Sequence, residues 1–381
     1  MTLSPIPLDR SVYDKAVHNQ RILSEILLKM AKDSEFYDTA FSKVKDDFVQ
    51  RLLSMFKKIQ KYQYPQLGDL VVLRTDYMMS KRDIKMVEFN TFSPGAHSYA
   101  EKMTKVHRHI QSKLGNFDFD NMLRPKNDAA TIVSKDMISA CKFYSENRYS
   151  DKKVAPVALF IVDEDEWNIG CIYNHMNNLE KSKIQVIRAS LPELVDLAKF
   201  ENENLYVFDK EIALVYFRTG YRPNHYTSEE VWKLREDIEI SKAIKCPSLG
   251  FHLLTFKSVQ LQLSDDTVLN KLCENEMDRE SIRSTFAFTR SALNQQAVEK
   301  AKAEPNKFIL KEQSEGGSEI LSGELLVEKL IEAKENDTLG NWLIMRLFRI
   351  FEKKLLMRKI NIFKLFYGQN KCRCFRNFLF P

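Results

Sequence analysis

Residues 307–317 read KFILKEQSEGG. A short apolar run, Phe308-Ile309-Leu310, ends in Lys311, and a polar loop then carries Glu315 into Gly316-Gly317. Read physically, this is a strand that delivers an ammonium to one end of a site and a carboxylate with bare backbone to the other. That set suits nucleotide phosphates and their Mg²⁺. On this stretch alone an ordinary strand and glycine-containing hairpin turn, with Lys311 in solvent, accounts for the pattern better. The rest of the chain has to decide.

The chain has 381 residues, enough to bury a sizeable core and to hold about two or three domains. Charged residues make up 29% and apolar residues 44%, the balance of a soluble globular protein. The opening MTLSPIPLDR has no basic region followed by an apolar run, so no secretory signal is expected. No apolar stretch is long and uncharged enough to span a bilayer. Cys141, Cys171, Cys246, Cys273, Cys372 and Cys374 form no CxxC pair, which fits a reducing cytosol. The net charge of +6 is unevenly spread. Residues 346–381 carry ten Lys or Arg against Glu352 alone, a local charge of +9 that leaves the remaining chain at −3. The body therefore has no basic footprint for nucleic acid.

Outward from the quoted stretch, apolar spacing predicts helices over 9–32 and about 40–60. Leu70–Leu73 reads as a buried strand ending at Arg74. In 84–90, Val87 and Phe89 point to one face and Glu88 and Asn90 to the other. Two oxygen-bearing side chains before the Ser93-Pro94-Gly95 turn suit a hard cation, although a solvated strand face reads better from spacing alone. Val106-His107-Arg108-His109 is placed on a helix, since no further metal ligands stand at a sensible spacing. A loop is expected over 113–128 and a helix over 129–147. From Pro156, apolar runs at 157–162, 184–187, 205–208 and 212–217 alternate with helical segments at about 167–180 and 192–200. This rhythm predicts a small parallel sheet with ligands at its carboxyl ends. At those ends stand Asp163-Glu164-Asp165-Glu166-Trp167-Asn168 and Arg218-Thr219-Gly220-Tyr221. An Arg fork beside a Gly turn reads either as a carboxylate clamp or as a surface arginine. Thr227 to Glu230 carries a capping-box signature for a helix through about Lys242. Helices are expected at 249–263, 265–274, 278–302 and 323–333, and a strand at 342–345.

Several segments, in order, resemble eukaryotic glutathione synthetase, an ATP-grasp ligase. VEFNTFSPG (87–95) is similar to that family's E-I-N-T-I-S segment, and VHRH (106–109) follows it as in the family. YFRTGYRP (216–223), AIKCP (243–247) with FKSVQ (256–260), and FILKEQSEGG (308–317) resemble its later blocks. The motif resemblance covers roughly residues 1–345. It implies an α/β fold: an incomplete ATP-grasp-type core with an inserted small parallel α/β substrate-binding domain. The expected division is 1–155 for the first part of the core, 156–256 for the substrate domain, 257–345 for a partial nucleotide-binding region and 346–381 for a non-family tail.

The implied reaction joins γ-glutamylcysteine to glycine with ATP through an acyl phosphate, releasing ADP and phosphate, in a cytoplasmic homodimer with Mg²⁺. Carried over motif by motif, Glu88, Asn90 and Glu315 would hold the metal. Glu88, Lys257, Lys311, Gly316, Gly317 and Met345 would contact ATP. Arg74, Ser93, Glu166, Asn168, Arg218 and Tyr221 would bind the peptide, with Arg74 and Lys311 as the catalytic cations.

The sequence departs from the pattern in places. Gly95 stands where the family has a Ser, and Ile172 where it has a polar amide. Ser318, Glu319 and Ile320 replace a glycine and the asparagines after it, and Arg346-Leu347 replaces an acidic-basic hinge pair. The composition then changes abruptly. This favours a tail from alternative splicing or a frame change over a partner-binding helix or a basic amphipathic helix on a membrane. A chain so truncated is expected to be weak or inactive alone, the alternative being a non-catalytic partner of a full-length subunit.

Overall fold

The computed structural model describes residues 8–61, 67–80, 83–114, 127–147, 155–313 and 320–347. Helix α1 (Arg10–Met30) buries Ile22, Leu23, Ile26, Leu27 and Met30, the stripe its spacing predicts. The second expected helix divides into α2 (Ser34–Phe41), capped by Asp33, and α3 (Asp47–Lys61), which starts where Asp46 accepts from the Val49 amide.

Leu70–Leu73 is not a paired strand. It is an extended segment whose Val71 and Leu73 pack on one core and whose Leu70 and Val72 pack on another. Pairing begins at Arg74, where β1 (Arg74–Ser80) runs antiparallel to β2 (Asp83–Asn90). The register slips between Asp76 and Tyr77, which leaves Val87 as an extra residue on β2. A bulge resets the alternation. Ile84 and Met86 before it and Phe89 after it are buried, while Val87, expected to share a face with Phe89, is only half-buried. Helices α4 (His97–Leu114) and α5 (Ala129–Asn147) follow as expected, with 106–109 inside α4.

The central sheet is built from β3 (Val157–Ile161), β4 (Gln185–Ala189), β5 (Ala198–Glu201), β6 (Asn204–Val207), β7 (Lys210–Phe217) and β8 (Ile244–Cys246). Helices α6 (Ile169–Lys181) and α7 (Leu191–Leu197) make the crossovers. Strands β4, β3, β7 and β8 are parallel, and β3 is buried throughout, as the continuous apolar run requires. The sheet is nonetheless mixed, which corrects the all-parallel expectation. Asn202-Glu203 and Phe208-Asp209 all take positive φ, so two tight hairpins turn β5, β6 and β7 antiparallel.

The capping box also lies elsewhere. Helix α8 (Glu229–Ile240) starts at Ser228 without a side-chain cap, whereas Ser190 and Glu193 form a complete box on α7. The segment 249–263 splits into α9 (Leu249–Leu254) and α10 (Lys257–Leu263) because Phe256 is extended and packs its ring on Phe41 and Phe48.

After α11 (Asp266–Leu272), the expected helix at 278–302 resolves into α12 (Glu276–Thr285), β9 (Thr289–Ser291) and α13 (Gln295–Ala303), the last capped by Asn294. Strand β10 (Phe308–Glu312) pairs with β11 (Ile320–Leu321) and with β12 (Trp342–Arg346), which in turn pairs with β9. Helix α14 (Glu324–Glu335) covers this antiparallel sheet through Leu326 and Leu330. The sheet meets the N-terminal helices at Gly340, where an added Cβ would fall 1.7 Å from the Lys43 carbonyl oxygen.

Candidate functional site

Strand β2 and the loop after it contribute to two cavities. The first is lined by Met86 and Val87, by Lys257 and Gln260 of α10 with Ser264 just after it, and by Lys311, Leu343 and Met345 of the antiparallel sheet. It brings together Lys257, Lys311 and Met345, and it holds only about 30 Å³. Both lysines are more than nine-tenths buried, and the Lys311 ammonium lies 3.9 Å from Glu88. Gln313 fixes their relative position. It is itself buried, and its side-chain oxygen accepts from the Ser258 amide at 2.8 Å, tying the end of β10 to the start of α10. Glu315, Gly316 and Gly317 lie outside the described residues.

The second cavity, of about 180 Å³, is lined by Arg74, Asn90, Ser93, Gly95, Trp167, Asn168, Arg218, Tyr221 and Arg222. Sequence-predicted substrate residues thus converge from four separate segments. Arg74 and Arg218 each already hold a carboxylate. Arg74 makes a two-pronged pair with Asp76 at 2.8 Å, and Arg218 pairs with Glu166 at 3.1 Å and donates to the Ser93 carbonyl. The Arg218–Glu166 pair is almost fully buried, while Arg74 is open to solvent. Burial opposes the Arg218 charge, but Tyr216 and Glu166 outweigh it and its pKa rises. Burial likewise raises the Tyr221 hydroxyl.

The two departures in this region now have physical sense. A Cβ on Gly95 would lie 2.4 Å from Nδ2 of Asn168, so the missing side chain makes room for that amide. Ile172 faces away from the cavity into the core beneath β3. Oδ1 of Asn168 is buried with no hydrogen-bond partner among the described residues.

Three features escaped the sequence. Asp76 sits opposite Glu88 across the ladder and takes a hydrogen bond from Asn90 at 3.3 Å, adding a carboxylate beside the expected metal ligands. Only the strand register reveals it. His225 accepts from the Gly220 and Arg222 amides at 2.9 and 3.3 Å, and its other nitrogen is 3.4 Å from Asp163, which also takes the Thr219 hydroxyl at 2.6 Å. This brace holds the turn that carries Arg218 and Tyr221. His97 and His175 meet through their ring nitrogens, a contact between distant segments that no local spacing signals. Among the described residues no cluster of three or more His, Cys, Asp or Glu is poised to hold a metal. No described helix is long and apolar enough to cross a membrane.

The profile of the eukaryotic glutathione synthase ATP-binding domain matches residues 1–365, continuing past Met345, where the motif resemblance ends. The tail beyond residue 347 lies outside the described residues. Glutathione synthetase of Xenopus laevis is 28% identical over 357 residues, which cover 90% of this chain and 73% of that protein. The Mus musculus enzyme is 29% identical over 365 residues with the same two coverages. In three dimensions the chain is similar to a glutathione synthetase-like effector from Globodera pallida in its apo form. The TM-score is 0.71 at 19% identity, covering 92% of this chain and 75% of that one, which speaks to the fold.

Proposed function

The chain belongs to the eukaryotic glutathione synthase family, and on that premise we propose that it is an ADP-forming ligase joining γ-glutamylcysteine to glycine through an acyl phosphate. One observation carries this reading: a single strand, β2, serves both a lysine-lined cavity and an arginine-lined one. The reaction needs that adjacency, since the carboxylate held in one must meet the phosphoryl group held in the other.

In this reading the fold is of the ATP-grasp type, and the antiparallel β9–β12 sheet is its nucleotide jaw. Lys257 and Lys311 take the phosphates and Met345 the apolar wall, while Gly316 and Gly317 bring bare amides close. The present cavity is narrow, about 30 Å³, and in this reading nucleotide entry widens it between this sheet and α10. Arg74 and Arg218 anchor the dipeptide carboxylates, with Ser93 and Tyr221 beside them. Asn168, whose Oδ1 lacks a donor, receives an N–H from the dipeptide.

Glu88, Asn90 and Glu315 would hold Mg²⁺. The neighbouring Asp76 makes the donor set all-oxygen and acidic, as that ion requires. When bound, the ion supplies neutralisation of phosphate charge. Glu88 also faces Lys311, and this contact aims the lysine at the phosphates. Residence in a reducing compartment fits the free, buried Cys141, Cys171, Cys246 and Cys273. Homodimeric assembly is proposed with the family reading.

The test is ADP release that depends on both γ-glutamylcysteine and glycine. The wild-type chain, expected to be weak alone, should show slow turnover that needs both substrates, and Lys311→Met should lower its kcat by about 100-fold or more, the scale of losing one preorganised cation. Wild-type ADP release that is indifferent to both substrates would refute the ligase reading.

A further inference from the structure

The second cavity is bordered by residues 93–96, in which Ser93 and Ala96 both take left-handed backbone angles, φ 46° and 69°. Non-glycine residues stay there only when their surroundings hold them. The next residue, His97, opens α4, and its Nε2 lies 2.6 Å from Nε2 of His175 on α6. The two rings are 4.8 Å apart. His97 also bonds to the Pro94 carbonyl. His175 is fully buried, and its Nδ1 is 2.7 Å from the Ser134 hydroxyl of α5. That hydroxyl also lies 3.0 Å from the Ala130 carbonyl and accepts from Asn178 at 3.0 Å. A continuous hydrogen-bonded chain thus runs from the cavity loop into two helices.

The proton count in this chain is tightly constrained. Two imidazole nitrogens at that separation need one proton between them. With none, two lone pairs face each other, and with two, a pair of N–H groups collide. The His97 nitrogen facing the Pro94 carbonyl must donate, so in the neutral pair His175 carries the shared proton and its Nδ1 accepts from Ser134. One added proton also fits, with the shared proton on His97, Nδ1 of His175 donating to Ser134, and that hydroxyl turned to the Ala130 carbonyl. No place exists for another. The charged and titratable groups around the pair are Arg218 and Tyr216 of β7 with its extension, Arg74 of β1 and Glu101 of α4. Burial, and then Arg218, lower the pKa of His97, while burial, His97 and Arg218 bring that of His175 down to about 3.

We propose that His97 and His175 form a one-proton clasp that positions the 93–96 loop and thereby sets the shape of the second cavity. The clasp stands on its own geometry, and its effect on dipeptide affinity rests on the ligase reading above. Neither histidine lines the cavity, so both act as positioning residues.

Nitrogen-15 NMR of the histidine-labelled full chain tests the clasp directly. Between pH 7.5 and about 5, one Nε2 of the pair should report as donor and the other as acceptor, with His175 never doubly protonated. In His175→Gln, burial and Arg218 remain, so His97 should still titrate below its ordinary value of about 6.5, now without a donor–acceptor partner at its Nε2. Two histidines titrating independently near that value in the wild type would overturn the clasp. In His97→Ala the Ser93, Gly95 and Ala96 amides should shift, with partial return in His97→Gln. Unmoved amides would overturn the positioning role. Calorimetry should find γ-glutamylcysteine bound about tenfold more weakly by His97→Ala, the scale of a sub-ångström misplacement. Unchanged affinity in that folded variant would likewise overturn positioning. A wild type that binds no dipeptide at any pH would count against the ligase reading instead, and the NMR readouts would still decide the clasp.

Discussion

At the scale of single residues, the arginine cavity is held by charges that satisfy one another before any ligand arrives. Glu166 and Arg218 are both almost completely buried, and removing one partner of such a pair leaves an uncompensated charge. Glu166→Gln keeps the volume and removes the charge, and should cost about 3 kcal/mol in urea unfolding. A loss under about 1 kcal/mol would mean that solvent reaches Arg218 when the loop breathes. The family motifs nominated Glu88, Asn90, Arg218 and Lys311 from the sequence, where strand spacing alone favoured a solvated face for the first two. Asp76 and His225 were not legible, because each acts across a register or a turn whose partner lies outside its own local pattern. Gly95 was legible as a departure, but its cause is the Asn168 amide packed against it.

At the scale of elements, the sequence carried the parallel strands of the central sheet and the single helices α1, α5 and α14 well, because burial on both faces or along one stripe leaves a strong apolar signature. It failed where pairing rather than hydrophobicity defines the element. Thr289–Ser291 is a strand only because β12 lies beside it, and Ala198–Glu201 only because the Asn202-Glu203 turn folds β6 back onto it. The second of those turns places the exposed Phe208 at φ 51°, where a bulky L-residue is strained by about 1–2 kcal/mol. Phe208→Gly should therefore stabilise the chain by about 1 kcal/mol in urea unfolding, and a destabilised variant would show that the ring contributes packing worth more than the strain.

At the scale of the whole molecule, two histidines far apart in sequence are buried uncharged. His175 sits in the clasp, while His252 is packed among Phe48, Phe92 and Phe256, with neither ring nitrogen hydrogen-bonded within the described residues. Burial depresses both, His175 to about 3 and His252 well below its usual value. The unfolded chain protonates each near 6.5 and so binds more protons than the fold. Stability is therefore fully present above about pH 6.5 and is lost as pH falls towards 3, by roughly 1.4 kcal/mol per unit for each histidine. Urea midpoints should fall between pH 7 and 5, less steeply in His175→Gln, and a flat profile would mean that both sites admit a proton. The order of the motifs was plain from the sequence, but their convergence was not, because it depends on contacts such as Gly340 against Lys43 that bring the ends of the chain together. Strand β2 has a last consequence. Because one strand walls both cavities, a ligand that shifts it in one alters the other, and thermodynamic linkage makes the effect mutual. Whatever factor the first ligand imposes on the second ligand's affinity, the second must return in equal measure, whichever of the two binds first.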